Sequence, residues 1–209
     1  MRVVSVNVAR PAQIGVRRGR PVMSAIGKQP VSGRVTVAGV NVAGDGQADR
    51  RVHGGPDKAV YAYGFEDALW WSARLGRELG PGAFGENLTL ESVDVTAAVI
   101  GERWRIGSVE LQVCQPRLPC YKLGLRFGDP QMLRRFAEAG RPGAYLRIVE
   151  EGELGAGDRV DISDRPAHGV TIGLVARAIL LDERLLAGAA AAPELPESLA
   201  RWMRERALA

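Results

Sequence analysis

Short runs of mostly alternating apolar and polar residues fill the first three quarters of the chain. Val3, Val6 and Val8 open it, with Ser5 and Asn7 between them. This spacing predicts a first β-strand, not the apolar core of a signal peptide. Residues 31–42 form a second β region rich in β-branched side chains, broken by Gly44-Asp45-Gly46. Residues 59–63 predict a short buried strand. Residues 101–114 predict a hairpin that turns at Gly107-Ser108. Alternation in its second arm places Val109, Leu111 and Val113 on one face and Glu110, Gln112 and Cys114 on the other. Two more strands are expected at 144–149 and 159–162, joined by a turn through 152–157.

Helical spacing is rarer. In 65–79, Leu69, Leu75 and Leu79 join Trp70-Trp71 on an apolar face, and Gly80-Pro81 ends the helix. Residues 130–139 predict another, with Asp129 as N-cap, Pro130 at the first helical position and Gly140 as the stop. Segment 15–28 is basic and turn-rich, and reads as a long connection. After Arg165-Pro166 the character changes, and 171–181, 183–186 and 197–207 are helical around an Ala-rich joint. The expected fold is therefore mainly β with helices. A closed or nearly closed β-barrel over 1–164 is followed by a small α-helical domain over 165–209, too short to stand alone.

Composition adds little to this, and charge adds more. The 209 residues suffice for one substantial core, and 26 glycines with 12 prolines suit short strands and frequent turns. No stretch approaches the roughly 20 apolar residues that span a bilayer. Two cysteines make no disulfide framework, so a reducing cytoplasm is the expected setting. Seven cations precede the first acid, Asp45, whereas the rest of the chain has 21 bases against 24 acids. That asymmetry points to an anionic partner, or else to a solvated face balanced by acids elsewhere. No zinc finger, basic heptad helix or aromatic-interleaved RNA-binding signature is present, which argues against nucleic acid. A phosphorylated small ligand needs only a few such cations.

Three stretches concentrate chemistry. Cys114-Gln-Pro-Arg-Leu-Pro-Cys-Tyr-Lys-Leu123 puts Cys120 on a proline-stiffened loop between Arg117 and Lys122. Those cations favour the thiolate, the nucleophilic and metal-binding form; the competing reading is a structural cysteine in a basic loop. In the second stretch, His53 precedes Gly54-Gly55-Pro56, a tight turn that lets backbone approach a ligand closely, and Asp57 and Lys58 follow it. In the third, Gly82-Ala-Phe-Gly-Glu-Asn-Leu88, Asn87 offers donors and an acceptor to a polar heterocycle, or else holds a turn. Neither C-x-x-C nor H-E-x-x-H occurs, which argues against a structural zinc site. A single soft thiolate suits a metal whose other ligands come from a cofactor.

The ordered motifs His53-Gly-Gly-Pro-Asp-Lys-Ala-Val60, Phe84-Gly-Glu-Asn-Leu88 and Arg117-Leu-Pro-Cys-Tyr-Lys122 resemble the MOSC family, the molybdenum cofactor sulfurase C-terminal domain. The closest likeness is to its stand-alone bacterial YiiM type, and the helical tail is similar to the three-helix domain that follows the barrel there. The resemblance implies a pocket for the molybdenum–pyranopterin cofactor, with Cys120 ligating molybdenum through sulfur. It also implies reduction of N-hydroxylated compounds, such as hydroxylaminopurines, to amines, with electrons from an external flavin reductase. Arg117 and Lys28 are the leading phosphate or pterin contacts, with Arg51 behind them. Gly54, Gly55, Asp57, Lys58, Glu86, Asn87 and Lys122 complete the expected cofactor site. His53 is the expected proton donor, its ordinary pKa lying near neutrality, with Asp49, Asp57 or Glu86 as substitutes. Cys114 reads as strand packing. Two other classes stay open: a carrier that holds the cofactor or a persulfide on Cys120, and a module that binds nucleic acid through the basic N-terminus. No membrane partner is expected, and the tail is a candidate dimer contact.

Overall fold

The computed structural model describes residues 1–49 and 53–208. In chain order the strands are β1 (Arg2–Val8), β2 (Ala12–Arg17), β3 (Arg20–Ser24), β4 (Gln29–Pro30), β5 (Arg34–Ala38), β6 (Asn41–Val42) and β7 (Val60–Gly64). Helix α1 (Phe65–Leu75) leads to β8 (Leu88–Glu91), then β9 (Arg103–Ile106) and β10 (Val109–Pro116). Two helices follow, α2 (Tyr121–Phe127) and α3 (Met132–Ala139), and then β11 (Ala144–Glu150), β12 (Gly152–Gly155) and β13 (Val160–Asp164). The tail holds α4 (Ile172–Leu180), α5 (Leu186–Ala189) and α6 (Glu197–Ala207).

Eight strands form one sheet in the order β13-β9-β10-β11-β7-β8-β1-β4. Every pairing in it is antiparallel except β7 with β8. A parallel pair needs a long crossover, and here α1 and the glycine-rich loop after it supply one. Of the two expected forms, a closed or a nearly closed barrel, the fully closed one is not formed. One edge of β1 is given to β8. Its other edge is divided between β4, at Asn7 and Val8, and the segment before β13, met by a single bridge from Arg2 to Arg159. Val3 N donates to Asp158 O at 2.9 Å there. Seven residues shared between two partners leave no continuous ladder to seal the seam.

Several local expectations shift for identifiable reasons. Segment 15–28 is largely a β-ribbon, β2 with β3, because Arg18 and Gly19 both take positive φ and close a two-residue turn. The expected 152–157 turn instead contains β12, which pairs with β5. Helix α1 stops at Gly76, left-handed at φ 63°, and its buried face is Ala68 and Trp71 while Leu69 is 51% exposed. Helix α3 begins at Met132, after Asp129 Oδ1 accepts from Gln131 N at 2.8 Å. The tail is not three regular helices: a 3-10 turn, Glu183–Leu185, runs into a four-residue α5 between α4 and α6.

Two apolar clusters hold the molecule. The larger joins sheet residues such as Val6, Leu88, Trp104 and Leu111 to Val175, Leu186, Leu195 and Met203 of the tail. The smaller is aromatic, with Tyr61, Tyr63, Trp71, Phe84, Phe127 and Phe136 packed among Leu123 and Met132. Polar ties reinforce the first, since buried Glu102 accepts from Trp104 Nε1 and from Arg165 Nε, each at 2.7 Å. Because Met203 is fully buried in the shared cluster, Met203→Ala should destabilise the whole chain by about 2–5 kcal/mol. Urea unfolding followed by tryptophan fluorescence and by far-UV circular dichroism should then show coincident transitions; separate transitions would contradict a shared core.

Candidate functional site

Three loops converge on one cleft at the end of the sheet. The first follows residues 50–52, among them Arg51, which lie outside the described residues. Gly54 and Gly55 take φ of 92° and 90°, and a Cβ on Gly54 would sit 3.1 Å from the Gln47 side chain. Both the backbone angle and the space therefore call for glycine. The 3-10 turn Pro56–Lys58 then delivers the chain into β7. His53, Gly54 and Lys58 line the cleft, whereas Gly55 and Asp57 do not. Asp57 works outside it. Its carboxylate pairs with Arg147 Nε at 2.5 Å, and its carbonyl accepts from Cys114 Sγ at 2.9 Å and from Gln115 Nε2 at 3.0 Å.

The second loop precedes β8. Glu86 is fully buried, and its carboxylate accepts from Gly82 N at 2.6 Å, Phe84 N at 3.0 Å and Thr89 Oγ1 at 2.9 Å. Burial pushes its pKa up, and those donors oppose the rise. Glu86 thus shapes the loop from behind instead of facing the cleft. Asn87 does line the cleft, yet its amide is committed: Oδ1 accepts from Tyr61 N at 3.1 Å, and Nδ2 donates to Asp45 Oδ2 at 3.0 Å and Asn7 O at 3.2 Å. Asp45 also accepts from Ala9 N at 2.9 Å and from the buried ammonium of Lys28. Desolvation lowers the Lys28 pKa, and Asp45 resists that shift.

The third loop, between β10 and α2, carries the cysteine. Cys120 has extended backbone, φ −127° and ψ 165°, immediately before α2. It is partly exposed and lines the cleft with Arg117 and Lys122. The Arg117 guanidinium is buried, 5.4 Å from the centroid of Tyr61 and 5.3 Å from that of Phe136. Its Nη1 finds no hydrogen-bond partner among the described residues. Cys114 is a different kind of thiol. It is wholly buried against the carbonyls of Asp57 and Tyr145, and burial pushes its pKa up to about 12.

Of the expected residues, His53, Gly54, Lys58, Asn87, Arg117, Cys120, Lys122 and Lys28 share this wall. The motifs do not mark Asp45, Tyr61 and Tyr145, which share it too. The two tyrosines are facing partners in the β7–β11 ladder, and Asp45 is the first acid after the basic N-terminal run. The cleft is a concave site whose wall mixes aromatic and charged side chains, as small-molecule sites commonly do. A cofactor that joins an anionic phosphate to sulfur and metal chemistry fits these donors. The buried guanidinium with an unsatisfied N–H suits the anion, and Cys120 offers one soft ligand. Among the described residues no three His, Cys, Asp or Glu side chains gather as a metal site of their own.

Electrostatics in the cleft favour a guest anion. Burial lowers the His53 pKa below its ordinary 6.5, and Lys122, Lys58 and Arg117 lower it further, while Asp49 opposes them. A bound anion reverses part of that shift, so by linkage the anion must bind more tightly when His53 is protonated. Sulfate affinity, measured by calorimetry with a probe whose charge stays constant, should therefore rise as pH falls below about 6.5. In His53→Gln that rise should be blunted; an unchanged pH profile would place the titrating group elsewhere.

A family model described as the MOSC domain matches residues 49–161. YflK of Bacillus subtilis (strain 168) is 36% identical over 170 residues, covering 81% of this chain and 76% of that protein. A protein of Gibberella moniliformis (strain M3125 / FGSC 7600) named Reductase is 35% identical over 152 residues, 71% of this chain but 27% of that protein. The crystal structure of YiiM from Geobacillus stearothermophilus superposes with a TM-score of 0.81 at 28% identity, covering 99% of this chain and 98% of that one. With half of its length matched by the family model and its whole fold shared with YiiM, the chain belongs to the MOSC domain family, in its YiiM-type branch.

Proposed function

We propose that this protein is an oxidoreductase that binds the molybdenum–pyranopterin cofactor in the cleft and reduces N-hydroxylated compounds to amines, with electrons from an external flavin-containing reductase. The observation that carries this reading is the buried Arg117 Nη1, unpartnered in a cleft it shares with an accessible cysteine. A buried donor without a partner costs about 1–3 kcal/mol, a cost that an anionic ligand removes. Family membership supports the same cofactor, and the relative named Reductase supports redox chemistry.

Bound molybdenum supplies the two-electron chemistry that breaks the N–O bond. The chain supplies everything around it. Cys120 holds the metal through its thiolate. Arg117, with Lys58 and Lys122, meets the anionic part of the cofactor. Lys28 is clamped by Asp45 and so fixes the cleft wall more than it offers free charge. The aromatic faces of Tyr61 and Phe84 wall the cleft and limit the water around the reacting nitrogen. Release of water and amine requires protons. His53, with its lowered pKa, is mainly neutral at pH 7 and becomes a better proton source when a bound anion raises that pKa. Tyr145, whose pKa burial pushes up, keeps its proton and serves as a hydrogen-bond donor.

Three measurements test this reading. Protein made under molybdate-replete conditions should contain molybdenum and pterin in near-stoichiometric amounts, with molybdenum falling sharply in Cys120→Ala. Pterin that stays while molybdenum never depended on Cys120 would favour a carrier. In the second, Cys120→Ser should reduce N-hydroxylated substrate turnover to background, and persistent activity would rule out thiolate ligation. Arg117→Met should weaken cofactor retention about tenfold or more while preserving the fold.

A further inference from the structure

The ribbon of β2 and β3 ends in a two-residue turn, Arg18-Gly19, with φ of 51° and 72°. Hairpin turns of this hand favour Asn, Asp or Gly at the first central position, so an arginine there is held in a strained conformation. The register sets Arg17 directly opposite Arg20, and like charges in that relation destabilise a ribbon. All three arginines are exposed. Arg34, Arg147 and Arg165 each hold a carboxylate, but none of the turn arginines does so among the described residues. Three repelling cations on a strained turn are explained by an anion that binds there.

The turn is joined to the cleft at two places. Ser24, the last residue of β3, lines the cleft with Ala25 and Ile26, whereas its neighbour Met23 lines an adjoining groove. On the other side Cys120 lines the cleft and its neighbour Tyr121 lines the groove. Arg17 lays its guanidinium 4.3 Å from the centroid of the Tyr121 ring. From Arg20 back to Ser24 is four residues of strand, roughly 13 Å. The arginine turn thus stands at the far end of a strand whose near end is part of the cleft wall.

We propose that Arg17, Arg18 and Arg20 form a phosphate subsite, and that the preferred substrate is a nucleoside phosphate whose N-hydroxylated base enters the cleft. This rests on the reductase reading above and names its substrate class. Guanidinium groups match phosphate oxygens in paired hydrogen bonds, and a phosphate between them cancels the repulsion across the turn. Arg117, inside the cleft, is left to the cofactor. The subsite lies in the open, where the charged end of the ligand stays hydrated.

The test uses the full chain loaded with cofactor, N6-hydroxyadenosine and its 5′-monophosphate as probes, and the triple variant Arg17→Gln, Arg18→Asn, Arg20→Gln. Asn-Gly is a favoured pair for this turn, so the variant keeps the ribbon, which a matching melting temperature would verify. Calorimetry should show the monophosphate binding about tenfold or more tightly than the nucleoside. In the variant that advantage should vanish while nucleoside affinity holds. Equal affinities in the wild type, or an advantage that survives the triple substitution, would overturn the subsite. Turnover separates the two readings. Preferential binding without reduction of either probe sinks the reductase and leaves the subsite standing; equal kcat/KM for both probes, with equal affinities, does the reverse. A variant that discriminates as before but needs more of an acidic flavoprotein donor would make the turn a protein dock, and the phosphate subsite would fall.

Discussion

The buried carboxylate of Asp45 ties the parts of the site together. It takes hydrogen bonds from the backbone after β1, from Lys28 ahead of β4 and from Asn87 ahead of β8. Removing a carboxylate and an ammonium from water is unfavourable unless the pair is close and its remaining bonding positions are filled. The pair here is close, and two neutral donors, Ala9 N and Asn87 Nδ2, also meet the carboxylate beside the ammonium. Three segments distant in sequence are therefore fixed relative to one another by a group that is itself part of the cleft wall. A second polar column runs behind it: Ser5 donates to Asn7 at 2.8 Å, Asn7 to Thr89 at 3.1 Å, and Thr89 to Glu86 at 2.9 Å.

Within that frame some polar groups of the cleft region are satisfied by the chain, and one buried atom is not. Glu86, Asn87 and Asp57 spend their polar atoms on the chain itself. Arg117 keeps its buried Nη1 without a partner among the described residues, and it lines the cleft with Cys120 and His53. The wall is thus preorganised before any ligand arrives, which spares the ligand much of the cost of arranging it.

Much of this was legible in the sequence. The hairpin of β9 and β10 and the buried strand β7 follow from alternation and turn residues, and the three motif loops do meet. What periodicity could not reveal is which polar residues turn inward. Asp57 and Glu86 lie in the same motifs as His53 and Asn87, yet a one-residue change of direction in a tight loop puts their carboxylates behind the wall. The β2–β3 ribbon was illegible for a related reason: Arg18 is a poor left-handed residue, so the turn it occupies has no sequence signal of its own. Barrel closure depended on how β1 divides its free edge, and local pattern carries no information about that division.

The contrast between the two cysteines has a consequence for the life of the protein under oxidants. Peroxide that reaches the accessible sulfur of Cys120 would form a sulfenic acid, and such a group is commonly rescued by a neighbouring thiol that closes a disulfide. Cys114 is ill placed for that service, sealed in the strand with its proton held by carbonyl oxygens and its thiolate disfavoured by burial. The chain therefore carries no resolving thiol of its own, and recovery of Cys120 from oxidation falls to small thiols in its surroundings.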